Sequence, residues 1–322
     1  MAYTTVNKST DYFNTFAYAG TGSTNTKTGV GFKPDWIWVK NRSDSEDHLL
    51  MDVLRTFASG KGLRSNGSDE EGGVGTSARG WVVATSDGFT TNSGSSNSNL
   101  VNDSGNNYVA WNWKAGTTGS GTSSGSGTGK AYTYSVSTTA GFSVVKYVGN
   151  GTAGHTIPHH LGAVPKMIIT KNLGRGEHWR VYHASLGNAQ KLNLNNTTAS
   201  ASASEWNSTT PTSSVFSIGT GEQINYNNDN YIAYCFADIT GYSKIGSYTG
   251  NGNADGAFIY TGFKPAFTLI KRSAGGTESW YINDNKRSVS GGDNPNHYYL
   301  LPNDGAAEGT STSLKIDLLS NG

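Results

Sequence analysis

One block recurs three times in this chain, and recurrence limits the fold more sharply than composition does, because every copy must reuse one supersecondary unit. Three segments open on Tyr-x-Gly-x-Gly: Tyr18, Gly20 and Gly22; Tyr147, Gly149 and Gly151; Tyr248, Gly250 and Gly252. A shared signature follows each. Gly31-Phe32-Lys33-Pro34-Asp35-Trp36-Ile37-Trp38-Val39-Lys40 aligns with Gly162-Ala163-Val164-Pro165-Lys166-Met167-Ile168-Ile169-Thr170-Lys171, and with Gly262-Phe263-Lys264-Pro265-Ala266-Phe267-Thr268-Leu269-Ile270-Lys271. Glycine and proline end the preceding turn, the apolar run has the length of a strand buried on both faces, and the closing lysine is expected to return the chain to solvent.

A second short strand is expected at 48–51, 179–182 and 280–283, and an aromatic closing strand with a period of two at 107–113 and 230–236. The interval from Tyr18 to Tyr108, like that from Tyr147 to Tyr231, sets the third closing strand at about position 335. The third copy is therefore expected to be incomplete in these 322 residues. Its bare sheet edge predicts that the chain continues or that a neighbour completes the sheet.

Apolar residues make up 34% of the chain and charged ones only 15%, while glycine alone numbers 43. Gly and Ser interrupt nearly every helical window, so the reading is all-β: tandem β-sandwich repeats of jelly-roll type. The predicted organisation is a first sandwich over 1–115, a linker over 116–140, a second sandwich over 141–238 and a third over 239–322. Residues 116–129 are Gly, Ser or Thr without exception. That composition predicts flexible coil and a hinged first domain. The short Asp238-Ile239-Thr240-Gly241 connection predicts a stiff pair of repeats two and three.

With 24 basic and 23 acidic side chains, the net charge of +1 supplies no field to attract nucleic acid or an anionic membrane. The single cysteine, Cys235, excludes an intrachain disulfide and any CxxC metal site. No run is apolar enough to insert in a membrane, and residues 1–10 lack a signal-peptide pattern, so synthesis in the cytoplasm without a signal peptide is expected.

Several short motifs have the look of chemistry. Gly149-Asn150-Gly151-Thr152-Ala153-Gly154 fits the GxGxxG spacing, but the prolines that follow deny it the helix that holds a pyrophosphate, so turn geometry is the better reading and no cofactor is expected. Gly121-Thr122-Ser123-Ser124-Gly125 fits the GxSxG nucleophile pattern inside a tract that generates it by chance. His155, His159 and His160 could meet on a metal, but the other repeats lack them, so they read as solvated loop histidines with no metal site. Asp69-Glu70-Glu71 reads as a solvated acidic loop rather than a catalytic pair. The tryptophans offer stacking surfaces for sugars, yet Trp36 with Trp38, Trp111 with Trp113, and the equivalent Trp179 and Trp280 have strand spacing that assigns them to the core. No catalytic residue is expected, and no ligand-binding residue is identified.

The tokens Tyr147-Val148-Gly149-Asn150-Gly151-Thr152, His160-Leu161-Gly162, Trp179-Arg180-Val181-Tyr182-His183-Ala184-Ser185-Leu186-Gly187 and Tyr231-Ile232-Ala233-Tyr234-Cys235-Phe236-Ala237, with Tyr248-Thr249-Gly250-Asn251-Gly252, resemble a tandem-repeat family of virion structural proteins from marine bacteriophages, including cyanophages. The resemblance covers nearly the whole chain. It implies a non-enzymatic tail fibre or adsorption appendage in the virion. Its first domain would dock on other virion proteins, while its outer loops would face a host-surface glycan or protein, in a homo-oligomer. A capsid-attached decoration or fibre protein is the alternative, and a glycan-binding or glycan-degrading module the third reading.

Overall fold

In the computed structural model, which describes residues 3–96, 99–287 and 294–322, the chain is an all-β sandwich protein built from antiparallel sheets. A first unit contains β1 (Phe13–Ala19), β2 (Asn25–Thr28), β3 (Trp36–Asn41), β4 (Leu49–Asp52), β5 (Trp81–Thr85), β6 (Gly88–Asn92) and β7 (Asn107–Trp113). Its four-stranded sheet runs β1-β7-β3-β4 and its three-stranded sheet β2-β6-β5. Ile37, Val39, Leu49, Met51 and Ala110 of the first meet Val82 and Phe89 of the second, which makes the sandwich core.

The second unit holds β8 (Thr117–Thr122), β9 (Ser124–Gly125), β10 (Ala131–Ser137), β11 (Phe142–Val148), β12 (His155–Pro158), β13 (Met167–Asn172), β14 (Arg180–His183), β15 (Gln190–Asn193), β16 (Ala201–Ser202), β17 (Val215–Ile218), the one-turn helix α1 (Glu222–Asn225) and β18 (Asn230–Phe236). Within its eight-stranded sheet the order β11-β18-β13-β14 repeats the order of the first unit, and β17-β12-β9 forms the opposing sheet. The third unit contributes β19 (Phe267–Lys271), β20 (Trp280–Asp284), β21 (Tyr298–Tyr299) and β22 (Gly309–Thr310) as two hairpin-like pairs. Register is shared too: Trp36 lies opposite Asp52, Met167 opposite His183 and Phe267 opposite Asp284.

Strand β3 is buried along all six residues because its sheet is covered twice. One face closes the first sandwich. The other turns inward, where Trp36, Trp38, Trp111 and Trp113 meet Phe142, Val144, Ile169 and Tyr234 of the second unit and Trp280 and Ile282 of the third in one central core. Trp36 stacks on Tyr234 at 4.2 Å between ring centres, and Phe13 lies 5.5 Å from Phe267. Such aromatic pairs add about 0.5–1.5 kcal/mol each beyond the area they bury.

Two expectations about flexibility are corrected. The Gly/Ser/Thr tract is not coil: residues 117–122 form β8, paired along its length with β10, and residues 124–125 form β9. Tyr132 stands opposite Gly121 and Tyr134 opposite Gly119, and both side chains lie so close over the glycines that a Cβ there would fall 2.7 Å and 2.5 Å from the tyrosine hydroxyl oxygen. Cross-strand aromatics thus supply the packing that the tract itself lacks. The first unit is likewise not hinged away from a stiff pair, because the central core is shared by all three units.

The closing lysines are a third correction. Lys40 and Lys171 are fully buried instead of leading to solvent. Lys40 Nζ donates to the carbonyls of Asn41 (2.6 Å) and Asp44 (3.3 Å), and Lys171 Nζ to those of Asn172 (2.7 Å) and Arg175 (3.0 Å). Each ammonium caps its own following turn while its stem lies on the strand face that turns toward the central core. Burial pulls both down to about 8.

Candidate functional site

The densest chemistry lies on the seam where the units meet. Position 48 of the first unit matches Trp179 and Trp280 of the others, and each of the three rings reaches a carbonyl on another unit. Trp179 Nε1 donates to Arg64 O at 2.9 Å, Trp280 Nε1 to Asn193 O at 2.8 Å, and His48 Nε2 lies 3.0 Å from Leu301 O. The three acceptors are themselves equivalent. Each follows an apolar residue that pairs with the second short strand: Leu63 with Leu50, Leu192 with Val181, and Leu300 with Ile282. Unit two thus reaches unit one, three reaches two, and one reaches three, which closes a ring with internal three-fold character.

His48 fits this role as a neutral imidazole. Trp38 Nε1 donates to its Nδ1 at 2.8 Å, which leaves the proton on Nε2 to serve Leu301. Burial, with the Lys40 charge nearby, lowers His48 to about 3.

Two fully buried ion pairs line the same seam. Arg55 Nε bonds Asp52 Oδ2 at 2.7 Å, and Arg287 Nε bonds Asp284 Oδ2 at 2.6 Å. Each carboxylate also accepts from the closing strand of a neighbouring unit: Tyr234 Oη donates to Asp52 Oδ2 at 2.8 Å, and Trp111 Nε1 to Asp284 Oδ2 at 2.9 Å. Glu308 extends the second network by binding Arg287 at 2.8 Å and Arg42 of the first unit at 2.7 Å. Sequence reading missed these groups. The signal was present as Asp-x-x-Arg directly after the second short strand, at Asp52 to Arg55 and again at Asp284 to Arg287.

The motifs singled out by sequence are dispersed. Gly149 and Gly151 form a turn whose N–H groups bond Asp229 O and Asn225 O, and Gly20 and Gly22 do the same with Asn106 O and Asn102 O. A Cβ on Gly149 would fall 2.3 Å from Tyr226 O, so close backbone approach is what that glycine provides.

Ser123, at the centre of the GxSxG pattern, does meet a histidine: its Oγ lies 2.7 Å from His155 Nε2, with His155 Nδ1 3.1 Å from Ser126 O. The spacing is that of a nucleophile and base. Approach is closed, however, because Ser123 is only 4% exposed and its Oγ is clamped by Lys130, accepting from its N–H at 2.9 Å. The pair pins the loop between β8 and β10.

His155 and His159 are fully buried, which corrects the reading of solvated loop histidines. His159 spans the Leu161 N–H and Thr212 O, and burial lowers it to about 4. His160 stacks on Tyr134 at 3.7 Å. Among the described residues, no three His, Cys, Asp or Glu side chains are placed to hold a metal. The acidic loop is also bound more tightly than its sequence suggests: Glu71 pairs with Lys61 at 2.8 Å, Asp69 pairs with Arg64, and the Glu71 N–H bonds Leu173 O of the second unit. Trp36, Trp38, Trp111, Trp179 and Trp206 are all core residues.

Compared with known families, residues 8–322 match the family described as Domain of unknown function (DUF7483), and the chain belongs to it. No curated protein matches the chain. No solved structure matches it either.

Proposed function

We propose that this DUF7483 chain is a non-enzymatic structural protein of a bacteriophage virion, serving as a tail fibre or adsorption appendage that bears on the host surface. The observation that carries the mechanical part is the shared central core, in which sheets of three units turn their aromatic faces onto one another. Interlocked sheets resist shear through many strands at once, as an appendage under load requires. The chemically capable side chains on the seam are spent on structure: Asp52, Asp284, Arg55 and Arg287 neutralise each other in pairs. The phage setting is supported by the resemblance of the repeat tokens to virion structural proteins.

The closed ring of contacts also favours the second reading, a capsid-attached decoration protein, since three units drawn around one core make a compact block in place of a jointed string. Antibody raised against the full chain and viewed on particles of the phage that encodes it separates the two. Label on tails, with purified chain binding host cells, is the expected outcome. Label on heads supports the decoration reading, and particles without label overturn the virion assignment.

A further inference from the structure

The third unit presents an unfilled strand position. Strand β3 lies between β4 and β7, and β13 lies between β14 and β18, but among the described residues β19 pairs only with β20. The direction of the free groups follows from alternation. Ile282 exchanges N–H and C=O with Leu300, so Tyr281 and Asn283 turn theirs toward β19, where they meet Ile270 and Thr268. The N–H and C=O groups of Phe267, Leu269 and Lys271 therefore lie on the open edge. Their equivalents in the first unit, Trp36, Trp38 and Lys40, lie opposite Trp113, Trp111 and Val109 of β7.

The opening turn of this unit independently records the same vacancy. A Cβ on Gly20 would fall 2.0 Å from Asp103 O and 2.9 Å from the Tyr108 ring, and one on Gly149 3.0 Å from the Tyr231 ring, whereas Gly250 and Gly252 have nothing within 4 Å. Tyr18 stacks on Tyr108 at 5.2 Å and Tyr147 on Tyr231 at 5.1 Å. Their counterpart Tyr248 is 54% exposed, and Phe258, Ile259 and Tyr260 are exposed near it in sequence. Glycines and a tyrosine suited to a closing strand are present without one.

We propose that the open edge of β19 is an acceptor site for an added antiparallel β-strand of closing-strand chemistry, Tyr-aliphatic-Ala-aromatic-x-aromatic, which the described residues do not place there. Its backbone completes the ladder on Phe267, Leu269 and Lys271, its first tyrosine stacks on Tyr248, and its central aromatic enters the central core. That central residue is Trp111 in β7 and Tyr234 in β18, where it donates to Asp284 and Asp52; the residue at the equivalent register position, which a third strand's central aromatic would face, is His183 of the second unit. Two existing strands of this chain define the occupant, which sets it apart from a generic sticky edge.

The test uses the full 322-residue chain and a synthetic peptide with the sequence of residues 105–114, which contains β7 and no cysteine. Hydrogen exchange resolved to single amides should slow at least about tenfold at Phe267, Leu269 and Lys271 when the peptide is added. A scrambled peptide should not slow it. Neither should a peptide N-methylated at the Val109 and Trp111 positions, whose N–H groups face the acceptor strand. Tyr248→Ala, a change at an exposed side chain, should weaken peptide binding about tenfold while leaving the fold intact. Unchanged exchange with the peptide, or equal binding by the N-methylated peptide, overturns the proposal. So does protection of the same three amides by self-association without peptide, which would assign the edge to a second copy of the chain.

Discussion

Tyr234 and Asp52, 182 positions apart in sequence, share a buried 2.8 Å hydrogen bond that joins the second unit to the first. Asp52 also holds Arg55, so this one carboxylate ties a neighbour's closing strand to a fully buried ion pair of its own unit. Removing the carboxylate strands the guanidinium, whereas removing the hydroxyl leaves the ion pair intact. Asp52→Ala is predicted to cost about 3–5 kcal/mol and Tyr234→Phe about 1–2 kcal/mol, read by chemical denaturation. Equal costs for the two would contradict this division of roles.

Trp36 and Trp111 are both fully buried in the central core, but only one of them uses its indole N–H. Trp111 Nε1 donates to Asp284, while Trp36 Nε1 has no hydrogen-bond partner. Replacement by phenylalanine removes similar volume from each. Trp111→Phe is predicted to destabilise by about 2 kcal/mol more than Trp36→Phe, because a charge-assisted bond is lost in the first case and a desolvated donor is relieved in the second. Thermal denaturation of the two variants side by side checks the order.

Acid should loosen both the ring, through His48, and the second unit, through His159. His48 is lowered from its ordinary 6.5 to about 3 and His159 to about 4, both mainly by burial. The folded state therefore holds fewer protons than the unfolded chain between those values and 6.5. The stability these rings contribute is complete above about pH 6.5 and is lost as pH falls toward 3, at up to about 1.4 kcal/mol per pH unit for each ring. Imidazole NMR should show both rings neutral at pH 5. A midpoint near 6.5 for His48 would contradict its place as a buried Nε2–H donor to Leu301.

The tract at 116–129 yields a fourth prediction. The amides of Thr117, Gly119 and Gly121, which face β10 in the ladder, should exchange slowly, and Gly119→Val should destabilise the protein because its side chain would collide with the Tyr134 ring. Random-coil exchange rates across the tract, together with a neutral Gly119→Val, would restore the flexible-linker reading.

Much of the secondary structure was legible because it is written locally. The apolar runs after Pro34, Pro165 and Pro265 and the alternating aromatics at 107–113 and 230–236 announce β3, β13, β19, β7 and β18. What could not be read depends on partners distant in sequence. The Gly/Ser/Thr tract looks like coil until Tyr132 and Tyr134 are laid over it, Lys40 looks like a surface residue until its turn carbonyls fold back, and His155 looks solvated until Ser123 and Ser126 enclose it. The seam was hidden most deeply. Asp52 gives no sign of Tyr234, and only the recurrence of Asp-x-x-Arg at 284–287 marked the position as special.

The central claim is that the units share one core and form no hinged array, and calorimetric unfolding of the full chain tests it most directly. A shared core predicts one transition, with calorimetric and van't Hoff enthalpies equal, that moves as a whole in Asp52→Ala. Two separable transitions, with Asp52→Ala shifting only one of them, would contradict it.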